Sequence, residues 1–220
     1  MNHLRLQILD QTTCERLLER LANEAEWQDG SITAGSHAKE GKRNAQLHYE
    51  SPLRKEIHEL IECAMWNHPA VKGFCLPRKL HRFLVTKTER DGGYDSHVDN
   101  AYMSSGRSDL SFTLSLTDDS KYEGGELEID SISESFPIKL KQGEIVIYPS
   151  TSMHRVCTVT TGVRTVCVGW IESYVKGESD RICLFQLESG ARAMLAKHGR
   201  GDEIDLIFLA YTNLLRRFGS

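Results

Sequence analysis

At 220 residues, 40% hydrophobic and 26% charged with five prolines, the chain has the length and composition of one domain with a sizeable core, which excludes long disorder. Its formal net charge of −4 carries no electrostatic footprint for nucleic acid, so no nucleic-acid partner is expected. The basic run Lys39-Glu40-Gly41-Lys42-Arg43 reads as a solvated loop. No apolar run approaches the length of a membrane span, and the amino terminus lacks the apolar core of a signal peptide. Six cysteines without a Cys-x-x-Cys pair read as small buried hydrophobes of a reducing, cytoplasmic compartment.

Thr12 and Glu15 form a capping box ahead of Leu17, Leu18 and Leu21, which predicts a helix over about residues 12–26. From Trp27 to Glu50 the chain is polar, with Gly30, Gly35 and Gly41 and no core-forming period. A loop this long is often functional, and this one is the candidate substrate-facing lid. Ser51-Pro52 starts a second helix whose apolar face is Ile57, Leu60, Ile61 and Ala64. Beyond Pro69 the chain turns to short β-forming segments. Lys79 to Lys87 is the first, and Leu110 to Thr117 alternates apolar residues with hydroxyls. Glu126–Ile129, Pro137–Leu140, Ile145–Tyr148, His154–Thr158 and Arg164–Tyr174 follow, with Gly124-Gly125 before the first, Gly143 between the second and third, and Thr160-Thr161-Gly162 before the last. Strands at this spacing point to a β-sandwich or barrel. Helical spacing returns with Leu184, Leu187, Ala191, Met194 and Leu195, then with a final helix capped by Asp202. The expected organisation is one integrated domain: helices and a loop over 1–78, a β core over 79–178 and a helical extension over 179–220. The last helix is amphipathic and could serve a homodimer, although packing on its own barrel is the simpler use.

His97 and Asp99 sit two apart, which on an extended strand turns both side chains to one face. The spacing also arises by chance, so it needs a third ligand. His154, opening a strand after the turn Pro149-Ser150-Thr151-Ser152, is that candidate. Two imidazoles and a carboxylate are the ligand set of non-haem Fe(II) oxygenases, and zinc accepts the same set. Arg164 favours the first reading. If Thr160-Thr161-Gly162 is a hairpin loop, Thr158 faces Arg164, and the guanidinium shares the cavity with His154. An arginine facing an apolar interior needs an anion, and a dicarboxylic keto acid would meet both metal and arginine.

The motifs Tyr94-x-x-His97-Val98-Asp99-Asn100, Gly124-Gly125-Glu126-Leu127, Gly143-Glu144-x-Val146-x-Tyr148-Pro149-Ser150-x-x-x-His154-Arg155-Val156 and Arg164 resemble the PKHD-type hydroxylases. Asp29-Gly30-x-x-Thr33-Ala34-Gly35, Lys42-Arg43-Asn44 and the tail Asn213-Leu214-Leu215-Arg216-Arg217 extend the resemblance nearly end to end. These are Fe(II)/2-oxoglutarate dioxygenases related to prolyl 4-hydroxylases. The resemblance implies a double-stranded β-helix, a cupin-like jelly roll flanked by helices. It implies Fe(2+) on His97, Asp99 and His154, 2-oxoglutarate on Arg164, O2 as oxidant and L-ascorbate in support of turnover. Thr88 stands where family members often carry a tyrosine nine residues before the first ligand. Tyr94 is the candidate replacement in holding the co-substrate, with a ring packed at the rim as the alternative. Asn100 is either a group orienting Asp99 or a turn former, and Val166 leaves no evident second anchor for the carboxylate.

The implied reaction is hydroxylation of a C–H bond in a peptide, protein or small-molecule substrate, a peptidyl prolyl or similar residue being one candidate, with release of succinate and CO2. Asp99 as a ligand favours hydroxylation over halogenation. The rival readings are a non-catalytic barrel that senses metal or 2-oxoglutarate, and a zinc hydrolase.

Overall fold

Both predicted amino-terminal helices form, with one change of cap. In the computed structural model, which describes residues 3–35, 39–130 and 135–220, strand β1 (Leu4–Gln7) leads into α1 (Gln11–Glu24). The cap is Asp10, whose side chain accepts the Thr13 N–H at 2.7 Å, and Thr12 lies inside the first turn. A carboxylate serves the unpaired donors and also complements the helix dipole, so it displaces the hydroxyl. α2 (Pro52–Asn67) begins with Pro52 in its first turn. A short α3 (Pro69–Cys75), absent from the sequence reading, follows it directly.

The stretch from Trp27 to Glu50 departs from the expected structureless lid. It holds β2 (Trp27–Asp29), a 3-10 turn over Gly30–Thr33, β3 (Lys42–Arg43) and β4 (Ala45–Leu47). Residues 36–38 of this stretch lie outside the described residues. The strands are two or three residues long, too short for alternation to register. β4 and β2 extend the edge of one sheet and β3 the edge of another, so the described part of this segment is wall.

The remaining strands are β5 (Pro77–Leu80), β6 (Leu84–Thr88), β7 (Gly93–His97), β8 (Tyr102–Met103) and β9 (Gly106–Arg107). β10 (Leu110–Ser115), β11 (Tyr122–Gly124), β12 (Leu127–Asp130) and β13 (Ser135–Ile138) come next. β14 (Glu144–Pro149), β15 (His154–Val156), β16 (Val159–Gly162) and β17 (Arg164–Ser173) complete the set. The larger sheet runs β1-β14-β10-β17-β6-β4-β2, with β5 also on β17, and the smaller runs β13-β12-β15-β7-β3. The two antiparallel sheets form the jelly roll.

β10 explains the layering. Leu110, Phe112 and Leu114 join a core with Leu17 and Leu21 of α1 and Ile57 and Ile61 of α2. Ser111 and Thr113 turn instead to the cavity between the sheets. The predicted alternation therefore sorts the two faces correctly, yet all six residues are buried because helices cover one face and the second sheet the other. β14 does the same: Ile145 and Ile147 join the helix-side core, while Val146 and Tyr148 join an inner cluster with Leu127, Ile138 and Leu140. Each fully buried Ile or Phe here contributes about 1.5–3 kcal/mol, and Ile57, Ile61, Phe83 and Phe112 are among them.

At the carboxy end, α4 (Glu178–His198) and α5 (Asp202–Phe218) pack Leu184, Tyr211, Leu214, Leu215 and Phe218 around Leu76 and Val175. Two details differ from expectation. Met194 is exposed rather than part of the apolar face, and Gly201 takes the cap position, with Asp202 already helical. All six cysteines are free, and Cys14, Cys75 and Cys167 are buried. Cys63 and Cys183 are exposed on helices, so burial holds for only part of the set. Among the described residues, no helix is long and apolar enough to cross a membrane.

Candidate active site

β7 and β15 are neighbours in the smaller sheet, and their register sets His97 directly opposite His154. Residues opposed in this way present their side chains to the same face. The imidazole centroids stand 4.3 Å apart. His97 Nδ1 lies 2.7 Å from the Asp95 carbonyl oxygen, and His154 Nδ1 lies 3.0 Å from that of Ser152. Each Nδ1 therefore carries the proton and donates it to a carbonyl, leaving the Nε2 lone pair for the centre. Burial, together with the charge His154 would carry, holds the His97 pKa well below the ordinary 6.5, so its imidazole stays neutral.

Asp99 follows β7 by two residues, and its Oδ2 lies 3.8 Å from His154 Nε2. Ser111 on β10 donates to that Oδ2 at 2.6 Å. Ser111 is in turn 2.8 Å from Ser150 Oγ, and Ser108 donates to Ser150 at 2.9 Å. A row of buried hydroxyls on the larger sheet thus steadies a carboxylate carried by the smaller one. One donor atom from each of His97, Asp99 and His154 lies within 4.8 Å of the others. Two imidazoles, each anchored through Nδ1, and a supported carboxylate suit Fe(II), so the residues fit the metal the sequence implies.

Arg164 shares this cavity, by a different route from the one expected. Val159–Gly162 is not half of a hairpin with β17, because it pairs with β11. Gly162 does take a positive φ of +74°, and there the chain leaves the two-stranded β11-β16 ribbon for the larger sheet. Arg164 opens β17 opposite Thr88 of β6, not opposite Thr158. The guanidinium is 5% exposed and hydrogen-bonds Tyr122, with Tyr148 close by and Glu126 acting from further away. Burial draws its pKa below the usual arginine value. Among the described residues it forms no ion pair, so its charge is available to a ligand. The cavity has a volume of about 300 Å³, and its walls include Thr86, Thr88, Thr113, Tyr148 and Arg164 as well as the three ligand candidates. Two residues on its wall hold buried polar atoms without a partner among the described residues: Asn44 through Oδ1 and Trp170 through Nε1.

Tyr94 stacks on His97 with centroids 3.6 Å apart, and burial and Asp99 push its phenol pKa up to about 12. Asn100 lines the cavity, but the hydrogen bond to Asp99 comes from Ser111. Sequence reasoning missed Ser111 and Lys42, both of which line the site. The hydroxyl face of the alternating segment Leu110–Thr117 was the available signal for Ser111. For Lys42 the available signal was its place in the motif Lys42-Arg43-Asn44, which the charged run around it outweighed by resembling solvated surface.

The model of the 2OG-Fe(II) oxygenase superfamily matches residues 81–172. A PKHD-type hydroxylase of Synechococcus sp. (strain CC9311) is 84% identical over 219 residues, covering 100% of both chains. The chain belongs to the PKHD-type hydroxylase family. A family member from Prochlorococcus marinus (strain AS9601) is 50% identical over 221 residues, again with 100% of each chain covered. Among solved structures, a prolyl hydroxylase from Trichoplax adhaerens in complex with a hypoxia inducible factor peptide fragment matches with a TM-score of 0.56. Identity there is 10%, with 77% of this chain and 83% of that one covered, so the likeness is one of fold. This PKHD-type hydroxylase is an Fe(II)- and 2-oxoglutarate-dependent dioxygenase that consumes O2.

Proposed function

We propose that His97, Asp99 and His154 hold the iron, that Arg164 grips the far carboxylate of 2-oxoglutarate, and that the enzyme hydroxylates a C–H bond of a peptide or amino-acid substrate. The observation that carries this reading is the convergence in one cavity of two anchored imidazoles, a supported carboxylate and a buried guanidinium with no ion pair among the described residues. Held by these residues, iron would supply the redox chemistry that links decarboxylation of 2-oxoglutarate to succinate and CO2 with transfer of one oxygen atom of O2 to the substrate. The protein's own residues orient and enclose. Asp95 and Ser152 carbonyls fix the imidazole tautomers, Ser111 fixes Asp99, and Tyr94 braces the His97 ring. Tyr94 is thereby a positioning residue beside the co-substrate. Tyr122 and Tyr148 stand beside Arg164 and supply the polar surroundings that Val166 does not. The inner cluster around Leu127, Val146 and Tyr148 keeps water from the buried charges and so strengthens their grip.

The reading of a prolyl or similar residue rests on the family's relation to prolyl 4-hydroxylases. Ascorbate, which the family resemblance implies, would support turnover as a reductant for the bound iron. Six free cysteines fit work in the reducing cytoplasm. The test is succinate release from 2-oxoglutarate after anaerobic Fe(II) loading and admission of air. Wild type should exceed His97→Ala clearly; equal yields would sink the ligand assignment. Arg164→Ala loses a charge-assisted bond worth about 1.5–3 kcal/mol, so the 2-oxoglutarate Kd should rise by roughly 10–100-fold while metal affinity holds. Equal loss of both would make Arg164 structural.

A further inference from the structure

The cavity holds a second buried cation for which neither iron nor 2-oxoglutarate accounts. Lys42 on β3 pairs with Tyr94 on β7, is 9% exposed, and lines the same cavity as Asp99 and Arg164. Its Nζ donates to Thr33 Oγ1 at 3.0 Å, and Thr33 is itself held by Gln46. The same Nζ stands 5.0 Å over the Tyr94 ring. These contacts aim the ammonium without neutralising it, because a hydroxyl and a ring face carry no net charge. Among the described residues no carboxylate lies within ion-pair distance of Nζ; Asp99 and Asp29 act on it from further away. Burial draws its pKa down to about 8, which leaves the ammonium form in the majority at neutral pH.

Counting charges identifies its use. On the assignment above, the metal's two positive charges meet Asp99 and the near carboxylate of 2-oxoglutarate, and Arg164 meets the far carboxylate. Every charge then has its opposite except the one on Lys42. An ammonium kept from water without a counter-ion is costly, and a ligand that brings an anion removes that cost. We propose that Lys42 is the anion anchor for the substrate, so that the enzyme acts on a carboxylate-bearing molecule. The carboxylate seats on Lys42 against the wall built by Thr33, Gln46 and Tyr94, and the rest of the substrate lies in the cavity towards His97 and Asp99. This inference rests on the metal and co-substrate assignment and adds a substrate class to it.

The test uses the full chain loaded with Mn(II) and N-oxalylglycine, a non-reacting mimic of 2-oxoglutarate. It is titrated calorimetrically with matched acids and amides in three arms. These are free amino acids against their amides, tetrapeptides with free against amidated carboxyl ends, and amidated tetrapeptides carrying Asp against Asn. The expected result is an acid that binds at least tenfold more tightly than its amide in one arm, which also names the source of the carboxylate. Lys42→Met should reduce that ratio to near one, and Lys42→Arg should keep part of it. If Lys42→Met does not fold, as judged by circular dichroism, the wild-type ratio and Lys42→Arg still decide. A panel in which no acid outbinds its amide, silence included, overturns the proposal, as does an unchanged ratio in Lys42→Met. A tenfold weaker grip on N-oxalylglycine in Lys42→Met also overturns it, by assigning the lysine to the co-substrate. Failure of the underlying assignment reads differently. N-oxalylglycine then fails to bind wild type, or binds Arg164→Ala equally well, before any substrate probe is added, and the charge count for Lys42 falls with it.

Discussion

Asp99 is a carboxylate on the segment just past its strand, where the backbone alone would leave its orientation loose. Ser111 supplies the restraint from the opposite sheet through its 2.6 Å hydrogen bond, and Ser150 and Ser108 continue the row behind it. Partners that orient a metal ligand in this way typically carry about 10–100-fold in metal affinity. Ser111→Ala should therefore weaken Mn(II) binding by roughly tenfold, read by electron paramagnetic resonance titration. A Kd within twofold of wild type would show that Asp99 needs no such support. At this scale the proposed ligand residues were legible in the sequence, because metal chemistry restricts residue types and strand alternation restricts spacing. For Ser111 only the hydroxyl face of its strand was legible, because a serine does not announce which partner another segment will bring beside it.

Elements decide how Arg164 enters the cavity. The Gly124-Gly125 turn before β12 runs at φ of +71° and +68°, a region that costs a side chain strain. At Gly125 a Cβ would stand 2.9 Å from Arg164 Cδ and from Val159 Cγ2. The glycine is thus both a turn former and the clearance that lets the arginine side chain pass. Gly125→Ala should lower stability by about 1–3 kcal/mol and push Arg164 from its place. The expected readout is a 2-oxoglutarate Kd raised several-fold with Mn(II) affinity kept; unchanged co-substrate binding would mean that the arginine has room to yield. The sequence singled out Gly124-Gly125 as a break between strands. The hairpin drawn from Gly162 was wrong, because local turn chemistry predicts a reversal but not which sheet the next strand joins.

Across the whole molecule, the site ties the two sheets together, since His97 and His154 belong to one and Ser111 and Arg164 to the other. Metal binding should therefore stabilise the entire fold. A ligand at one hundred times its Kd adds about 2.7 kcal/mol, which in a chain of this size is roughly 5–10 °C in Tm. Mn(II) should raise Tm by that order, and chelation or His97→Ala should remove the gain. Without metal, the depressed His97 pKa adds a pH dependence of definite sign. The unfolded chain protonates His97 near 6.5, whereas the folded one resists to about 4. Stability is thus whole above 6.5 and falls as acid carries the solution towards 4. A thermal melt series on the chelated protein checks this, and a Tm that is flat across the window would contradict a buried neutral His97.

What the sequence determined by itself was the chemistry and the class of fold. Metal chemistry, a co-substrate cation and alternating strands leave marks in residue identity and in short spacings, so the proposed ligands His97, Asp99 and His154, the proposed anchor Arg164 and the helix-flanked β core could all be read there. Tertiary structure alone decided the neighbours that the chain brings from afar. It made β2, β3 and β4 into the margins of the sheets, because strands of two or three residues carry no period of their own. It set Ser111 on Asp99 across 12 positions of sequence. It also turned Lys42, one of a run of charges that reads as surface, into a buried ammonium in the active cavity. Burial is a property of what packs around a residue, and no local pattern records it.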